Sequence, residues 1–272
     1  MTQPAHRLAI RHTSRYRYDG SGGHLVQALR LTPPAGAGQD VIDWQVFAAG
    51  IDDCTTYVDA FGNRVHLVSC RDAGPEVEIV AEGVVETRDT RGVLGNTGEA
   101  VAAGVFLRPT LATTADAGIV ALAEAARAGD SLATMHALMA AVEAQVAYLP
   151  DTTDSRTTAA EAFAAGRGVC QDHAHVMIAA ARHLGIPARY VSGYLLLTDE
   201  GQAAAHHAWV EAHVGPLGWV GFDAANALCP TERYVRLTVG LDAGSAAPIR
   251  GVRRGAGAEQ LAVDVAVRFA GQ

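Results

Sequence analysis

Gly166-Arg167-Gly168-Val169-Cys170-Gln171-Asp172-His173-Ala174-His175-Val176-Met177-Ile178 is the stretch that decides the fold. Two glycines loosen the approach. An apolar stripe at Ala174, Met177, Ile178, Ala181 and Leu184 then recurs at steps of three and four, the period of a helix with one buried face. The spacing predicts a helix over 170–184, closed by Gly185 at its C-terminal cap with Pro187 beyond. Cys170 stands one turn before Ala174, at the helix N-terminus and on the inward side. Unpaired backbone amides and the positive end of the helix dipole favour negative charge there, the condition under which a cysteine becomes a nucleophile. Asp172 in the same turn suits the dipole and opposes charge on the sulfur. A lone cysteine is more commonly a small buried hydrophobe, so chemistry needs a base elsewhere in the chain.

Downstream, His207-Ala208-Trp209-Val210-Glu211-Ala212-His213-Val214 alternates strictly, which makes His207 a strand residue on a polar face shared with Trp209. Gly215-Pro216-Leu217-Gly218 is a turn, and Trp219-Val220-Gly221-Phe222-Asp223 returns as the partner strand. With a four-residue connection His207 and Asp223 would fall on opposite faces. A three- or five-residue connection, or a bulge at a glycine, sets them on one face as diagonal neighbours. Cys170, His207 and Asp223 then form, in chain order, a nucleophile, a general base and acid, and a carboxylate that orients the imidazole.

The surroundings fit an enzyme-sized globular chain. Its 272 residues are 49% hydrophobic and 18% charged, enough apolar material for one large domain or two modest ones. Every one of the 21 basic residues is arginine, so Schiff-base, Walker-loop and Ser-Lys chemistries have no lysine to use. The net charge of −8, without basic runs, argues against nucleic acid as a partner. No apolar run has membrane-spanning length and no signal core follows Met1, so the expectation is a cytoplasmic protein with no membrane partner. Cys54, Cys70, Cys170 and Cys229 lack metal-knuckle spacing, and no metal site is expected. Cys54 and Cys70 flank a hairpin turning at Asp59–Asn63, but a disulfide between them is not expected without export.

Residues 1–90 read as an antiparallel β-domain, with Leu8, Ile10, His12, Ser14, Tyr16 and Tyr18 alternating against a basic face and further strands at 41–47, 55–58, 64–69 and 77–87. The glycine-rich stretch 91–104 reads as a linker, and 105–272 as the core. In that core one helix ends near Gly129. The next is capped by Asp130 or Ser131, carries Leu132 through Val146 and Leu149 on one stripe, and is stopped by Pro150. Thr158 and Glu161 open a short helix that Gly166 ends. A strand over 188–197 brings Tyr190 or Tyr194 to the cleft, and strands at Tyr234–Val239 and Leu261–Phe269 are expected to complete the core sheet. Trp209 is expected to shield the imidazole or line the cleft, His173 and His175 to be surface or supporting polar groups, Glu211 and Asp172 to be solvated rim carboxylates, and Cys229 to be structural.

Four blocks, Gly168–Asp172, Leu184–Tyr194, His207–Glu211 and Gly218–Asp223, resemble the transglutaminase-like cysteine-enzyme superfamily, and Leu29–Pro33 with Asp59–Asn63 resembles the leading β-domain of its bacterial branch. The resemblance implies an α+β fold with a papain-like core, its nucleophile helix packed on an antiparallel sheet, behind a β-sandwich-like N-terminal domain. Carried over, the catalytic residues are Cys170, His207 and Asp223; the histidine directly before Ala-Trp is His207, not His206. Trp209 and Tyr194 are the expected substrate-binding residues. Where the family commonly has Phe-Asp-Pro-Thr-Asn, this chain has Phe222-Asp223-Ala224-Ala225-Asn226, without the stiffening proline. The implied reaction is thiol-dependent acyl transfer on a peptide or small amide through a thioester, needing no cofactor, with hydrolysis favoured. The alternatives are amine acylation or transglutamination by the same triad, and a peptide-binding module without catalysis. Oligomeric state has no signature in the sequence.

Overall fold

The computed structural model describes residues 5–19, 23–36, 38–97, 101–197, 204–255 and 257–271. The chain begins with strands β1 (Ala5–Tyr18), β2 (His24–Leu29), β3 (Gln39–Phe47), β4 (Thr55–Val58), β5 (Arg64–Cys70), β6 (Glu76–Arg88) and β7 (Val93–Gly95). Helices α1 (Ala117–Ala125) and α2 (Ser131–Gln145) follow, then the two-residue β8 (Ala147–Tyr148), α3 (Ala159–Ala165), β9 (Arg167–Gly168) and α4 (Cys170–His183). The chain closes with β10 (Ala188–Leu196), β11 (Ala204–His213), β12 (Trp219–Phe222), β13 (Tyr234–Gly240), β14 (Ile249–Arg254) and β15 (Glu259–Phe269).

The alternation along β1 is realised directly. Leu8, Ile10, Tyr16 and Tyr18 are buried, while Arg7, Arg11, Arg15 and Arg17 stand opposite Glu86, Glu82, Glu78 and Glu76 of β6, each pair joined by an ion pair. Such exposed pairs add little stability individually, about 0–1 kcal/mol, but opposite charges directly across a ladder favour this register over its neighbours. Two four-stranded sheets, β15-β1-β6-β3 and β14-β2-β5-β4, enclose a common core that includes Leu8, Ile10, Leu25, Leu29, Val68 and Ile79.

The last two strands depart from expectation. β13 does complete the core sheet, beside β10, but β15 pairs along β1 from Leu8↔Phe269 to Tyr18↔Glu259, and β14 pairs along β2. They close the N-terminal sheets because β1 and β2 would otherwise each present an unpaired edge; a period-2 pattern identifies a strand without naming its partner. The stretch 91–104 likewise does more than connect, since β7 is the outer strand of the core sheet, whose order is β13-β10-β11-β12-β7.

One face of that sheet takes the helices. Val210, Ala212, Val220 and Phe222 pack with Ala174, Met177, Ile178 and Ala181 of α4, with α1 and α2 outside them. The opposite edge strand, β13, meets the N-terminal domain through side-chain amides that satisfy its free backbone groups. Asn63 donates to Val239 O and accepts from Val239 N, both at 2.8 Å, while Gln39 donates to Arg236 O at 2.9 Å and accepts from Arg236 N at 2.8 Å.

Candidate active site

α4 starts where its caps dictate. Asp172 Oδ2 accepts from Val169 N at 2.8 Å and from Thr153 Oγ1 at 2.7 Å, closing the first turn ahead of the half-buried Cys170. A Cβ on Gly168 would lie 2.6 Å from Asp172, so the glycine before the cysteine is a steric requirement of this cap. At the far end Gly185 takes φ 76°, with Gly185 N bonded to Arg182 O at 3.0 Å and Ile186 N to Ala181 O at 2.9 Å. That paired geometry is the expected glycine stop.

β11 and β12 pair with His213 opposite Trp219, leaving the five residues Val214–Gly218 as the connection. This is one of the irregular turns that the His–Asp pairing demands. Continued one step, the register sets Asp223 opposite Trp209, diagonal to His207 and on its face. His207 Nε2 and Asp223 Oδ2 are 2.7 Å apart and both residues are buried.

Asp223 is held from several sides. Its Oδ2 also accepts from Asn226 Nδ2 and Tyr234 Oη, both at 2.7 Å, and its Oδ1 accepts from the backbone of Ala225 at 3.0 Å and Asn226 at 3.3 Å. Burial would favour the neutral acid, but hydrogen bonds and the charge of His207 outweigh it and hold the carboxyl below its ordinary range. For His207, burial would depress the imidazolium, yet hydrogen bonding to Asp223 and Cys170 and the negative charge of both push its pKa up to about 9. Because Asp223 engages Nε2, Nδ1 is the nitrogen left for the Cys170 thiol.

Trp209 stacks beside His207, ring centroids 6.3 Å apart, and meets Tyr234 edge-on at 5.4 Å. These two rings also line a cavity of about 690 Å³ between the N-terminal strands and the core sheet, together with Phe61, Glu211 and Arg236. Cys170 does not line it. Among the described residues no cluster of three or more His, Cys, Asp or Glu side chains is placed to hold a metal ion.

Several residues sit elsewhere than expected. Tyr194 does not reach the cleft; it is fully buried beneath the N-terminal domain, its hydroxyl 3.0 Å from His12 Nδ1, because its position on β10 faces that domain's core. Tyr190, nearer the helix, packs on His175 at 5.2 Å. Glu211 is not a rim carboxylate but a buried one, bonded to Arg189 Nε at 2.6 Å and Arg236 Nε at 2.9 Å. Asp172 is fully buried as the helix cap, and its Oδ1 has no hydrogen-bond partner among the described residues. His173 and His175 are buried too, the former bridging Val169 O and Val146 O at 2.9 and 2.7 Å, the latter accepting from Ala243 N at 3.0 Å. His206 lies one residue out of phase with His207 and bonds Ser192 Oγ at 2.7 Å.

Asn226 and Tyr234 escaped sequence reasoning as supports of Asp223. Asn226 had a signal, its place at the end of Phe222-Asp223-Ala224-Ala225-Asn226; Tyr234 had none, since only tertiary folding brings β13 across to Asp223.

Comparison with known proteins agrees with this architecture. Residues 120–224 match the model of the transglutaminase-like superfamily core, and residues 8–86 match the bacterial transglutaminase-like N-terminal region. An uncharacterized protein of Mycobacterium leprae is 31% identical over 96% of this chain and 98% of its own, and one of Mycobacterium tuberculosis is 26% identical over 96% and 92%. The crystal structure of a putative cysteine protease from Cytophaga hutchinsonii superposes with a TM-score of 0.77 at 21% identity, covering 100% of this chain and 93% of that one, and shares the fold. From the near full-length kinship and the two matched regions, this chain belongs to the transglutaminase-like superfamily, in the form that carries the bacterial N-terminal region.

Proposed function

We propose that the protein is a cysteine-dependent acyl-transfer enzyme that cleaves amide bonds of peptides or small amides, with water as the favoured acceptor. The observation that carries this is the 2.7 Å contact between His207 and Asp223 beside Cys170 at the start of α4. His207 takes the thiol proton and Cys170 Sγ adds to the amide carbonyl, moving the C=O pair onto oxygen. The backbone N–H of Cys170, in the first turn where helix amides have no intrahelical acceptor, helps hold that oxyanion. As the C–N bond breaks, imidazolium returns the proton to the leaving amine, and a thioester remains on Cys170. Water then loses a proton to His207 and attacks the thioester, and the thiolate leaves and is reprotonated. Asp223 fixes the ring so that one nitrogen serves it and the other serves the sulfur. Water needs no second binding site, which favours hydrolysis over transfer to an amine.

The test is site-resolved iodoacetamide labelling of the four cysteines across pH 4–10, paired with turnover of a peptide-amide mixture. Cys170 is expected to label well below the free-thiol pKa of about 8.5, at least about tenfold more slowly in His207→Ala, and Cys170→Ala is expected to abolish amine release. Labelling of Cys170 that follows an ordinary thiol titration and ignores His207 would remove the proposal. Release only in the presence of an added amine would move the acceptor from water to amine.

A further inference from the structure

The cavity of about 690 Å³ between the N-terminal strands and the core sheet has the size of a small-molecule site, and its wall is chemically one-sided. Trp209, Tyr234 and Glu211, all buried, form its inner end, while the exposed Val58 stands at its mouth. The inner rings are fixed in place. A Cβ on Gly193 would lie 2.6 Å from the Trp209 ring, Tyr234 Oη is held by Asp223 Oδ2 at 2.7 Å, and Phe61 packs against both rings. The charged residues on the wall are Asp59, Arg88, Glu211 and Arg236. Both carboxylates are already engaged. Asp59 Oδ1 accepts from Phe61 N and Asn63 N and its Oδ2 from Arg30 Nε and Asn63 Nδ2, all at 3.0 Å, and Glu211 is sealed between Arg189 and Arg236. Arg88 pairs with Asp40 and Glu86. Arg236 differs, because it gives Glu211 only one edge of its guanidinium, Nε at 2.9 Å and Nη2 at 3.3 Å. Its Nη1 has no partner among the described residues and stays open to solvent, on a side chain 18% exposed. The wall therefore keeps uncommitted donors on a cation and no uncommitted carboxylate, beside three aromatic rings.

We propose that this cavity binds a carboxylate carried on an aromatic or branched apolar body. Arg236 donates to the two carboxylate oxygens from Nη1 and from the second N–H of Nη2, the planar match that a guanidinium edge offers, and the body lies among Phe61, Trp209 and Tyr234. An amine is disfavoured, since every acidic oxygen on the wall is satisfied and the open group is a cation. Cys170 lies off this wall, so the ligand rests behind the rings that hold His207 and Asp223 without meeting the sulfur. The site goes beyond the acyl-transfer reading and does not depend on it.

Calorimetric titration with 3-phenylpropanoate and with its neutral amide, 3-phenylpropanamide, provides the test. The acid is expected to saturate one site with a Kd of about 1 mM or below, and to bind about tenfold more tightly than the amide, the ratio that about 1.4 kcal/mol gives. Arg236→Gln should bring the two within about twofold of each other. Because that substitution also touches Glu211, the exposed mouth supplies a second reading: Val58→Asp should weaken and Val58→Arg strengthen binding of the acid by about threefold each, with the amide unchanged and the effect fading in about 1 M salt. Cys170→Ala should bind the acid as the native protein does. Acetyl-Ala-Ala-Phe, which ends in the same ring and carboxylate, separates the two sources of such a group: binding tighter than the small acid's identifies a peptide C-terminus, and equal or weaker binding a free acid. Equal Kd values for acid and amide, no saturation by about 10 mM, or a charge preference that survives Arg236→Gln and ignores Val58 would overturn the site. Loss of binding in Cys170→Ala would overturn it too, by placing the ligand at the sulfur.

Discussion

At the scale of single residues, the protonation of His207 couples the candidate site to stability. Its pKa of about 9 in the folded protein lies above the ordinary 6.5, so folding retains a proton that the unfolded chain releases. The contribution is complete below about pH 6.5 and is lost as the pH rises to about 9. His12 and His175 act in the opposite sense. Burial pushes them down to about 3 and about 4, so each takes up a proton on unfolding and stability declines as the pH falls below 6.5. Asp223, held below the usual carboxylate range, adds to the loss in acid. Denaturant midpoints measured from pH 5 to 10 should therefore peak near pH 6.5, and His207→Ala should flatten the alkaline limb. An alkaline limb that keeps its slope in the variant would contradict this assignment. In the sequence the helix start marks Cys170 and the alternation of β11 sets His207 on a polar face, while the choice of His207 over His206 rests on the resemblance. It could not carry the burial of Glu211 or Asp172, because a charged residue's partner, Arg189 in one case and the turn at Thr153 in the other, is supplied by tertiary folding.

At the scale of elements, the connection between β11 and β12 sets the relation of His207 to Asp223. Gly218 ends that connection at φ 69°, and a Cβ there would lie 2.5 Å from Gly95 O on β7. Gly218→Ala is expected to destabilise the fold by about 1–3 kcal/mol, whereas Leu217→Ala, at an exposed neighbouring position, should stay within about 0.5 kcal/mol. Urea unfolding of the two variants distinguishes a strained glycine from a permissive loop, and equal stabilities would show that the turn tolerates side chains. The elements themselves were largely legible. Thr158 and Glu161 form the capping box anticipated for α3, and Asp130 accepts from Ala133 N at 2.8 Å as the cap of α2. The end of α2 was not legible. The stripe from Leu132 runs on through Val146 to Leu149, but the helix stops at Gln145 and Leu149 is exposed, since Ala147 N and Leu149 N donate instead to Gly166 O and Gly168 O. Periodicity persists through a segment that a neighbouring strand has captured.

At the scale of the whole molecule, the last strands belong to the first domain. β1 lies between β15 and β6, and β2 between β14 and β5, so residues 249–269 complete two sheets begun at residue 5. A chain ending at residue 248 should lose the N-terminal domain's cooperative unfolding and expose the β1 and β2 edges, read as increased amide exchange over 8–18 and 24–29. Protection of those amides equal to that of the full chain would show the closing strands to be dispensable. Such pairings, separated by some two hundred and fifty residues, belong to the slow class of folding topologies. During synthesis this arrangement imposes an order: the helix bearing Cys170 and the strands of its sheet are made before the strands that seal the opposite half of the protein. A chain that stops before residue 249 would therefore carry Cys170 together with two open strand edges, the form most prone to join another copy of itself.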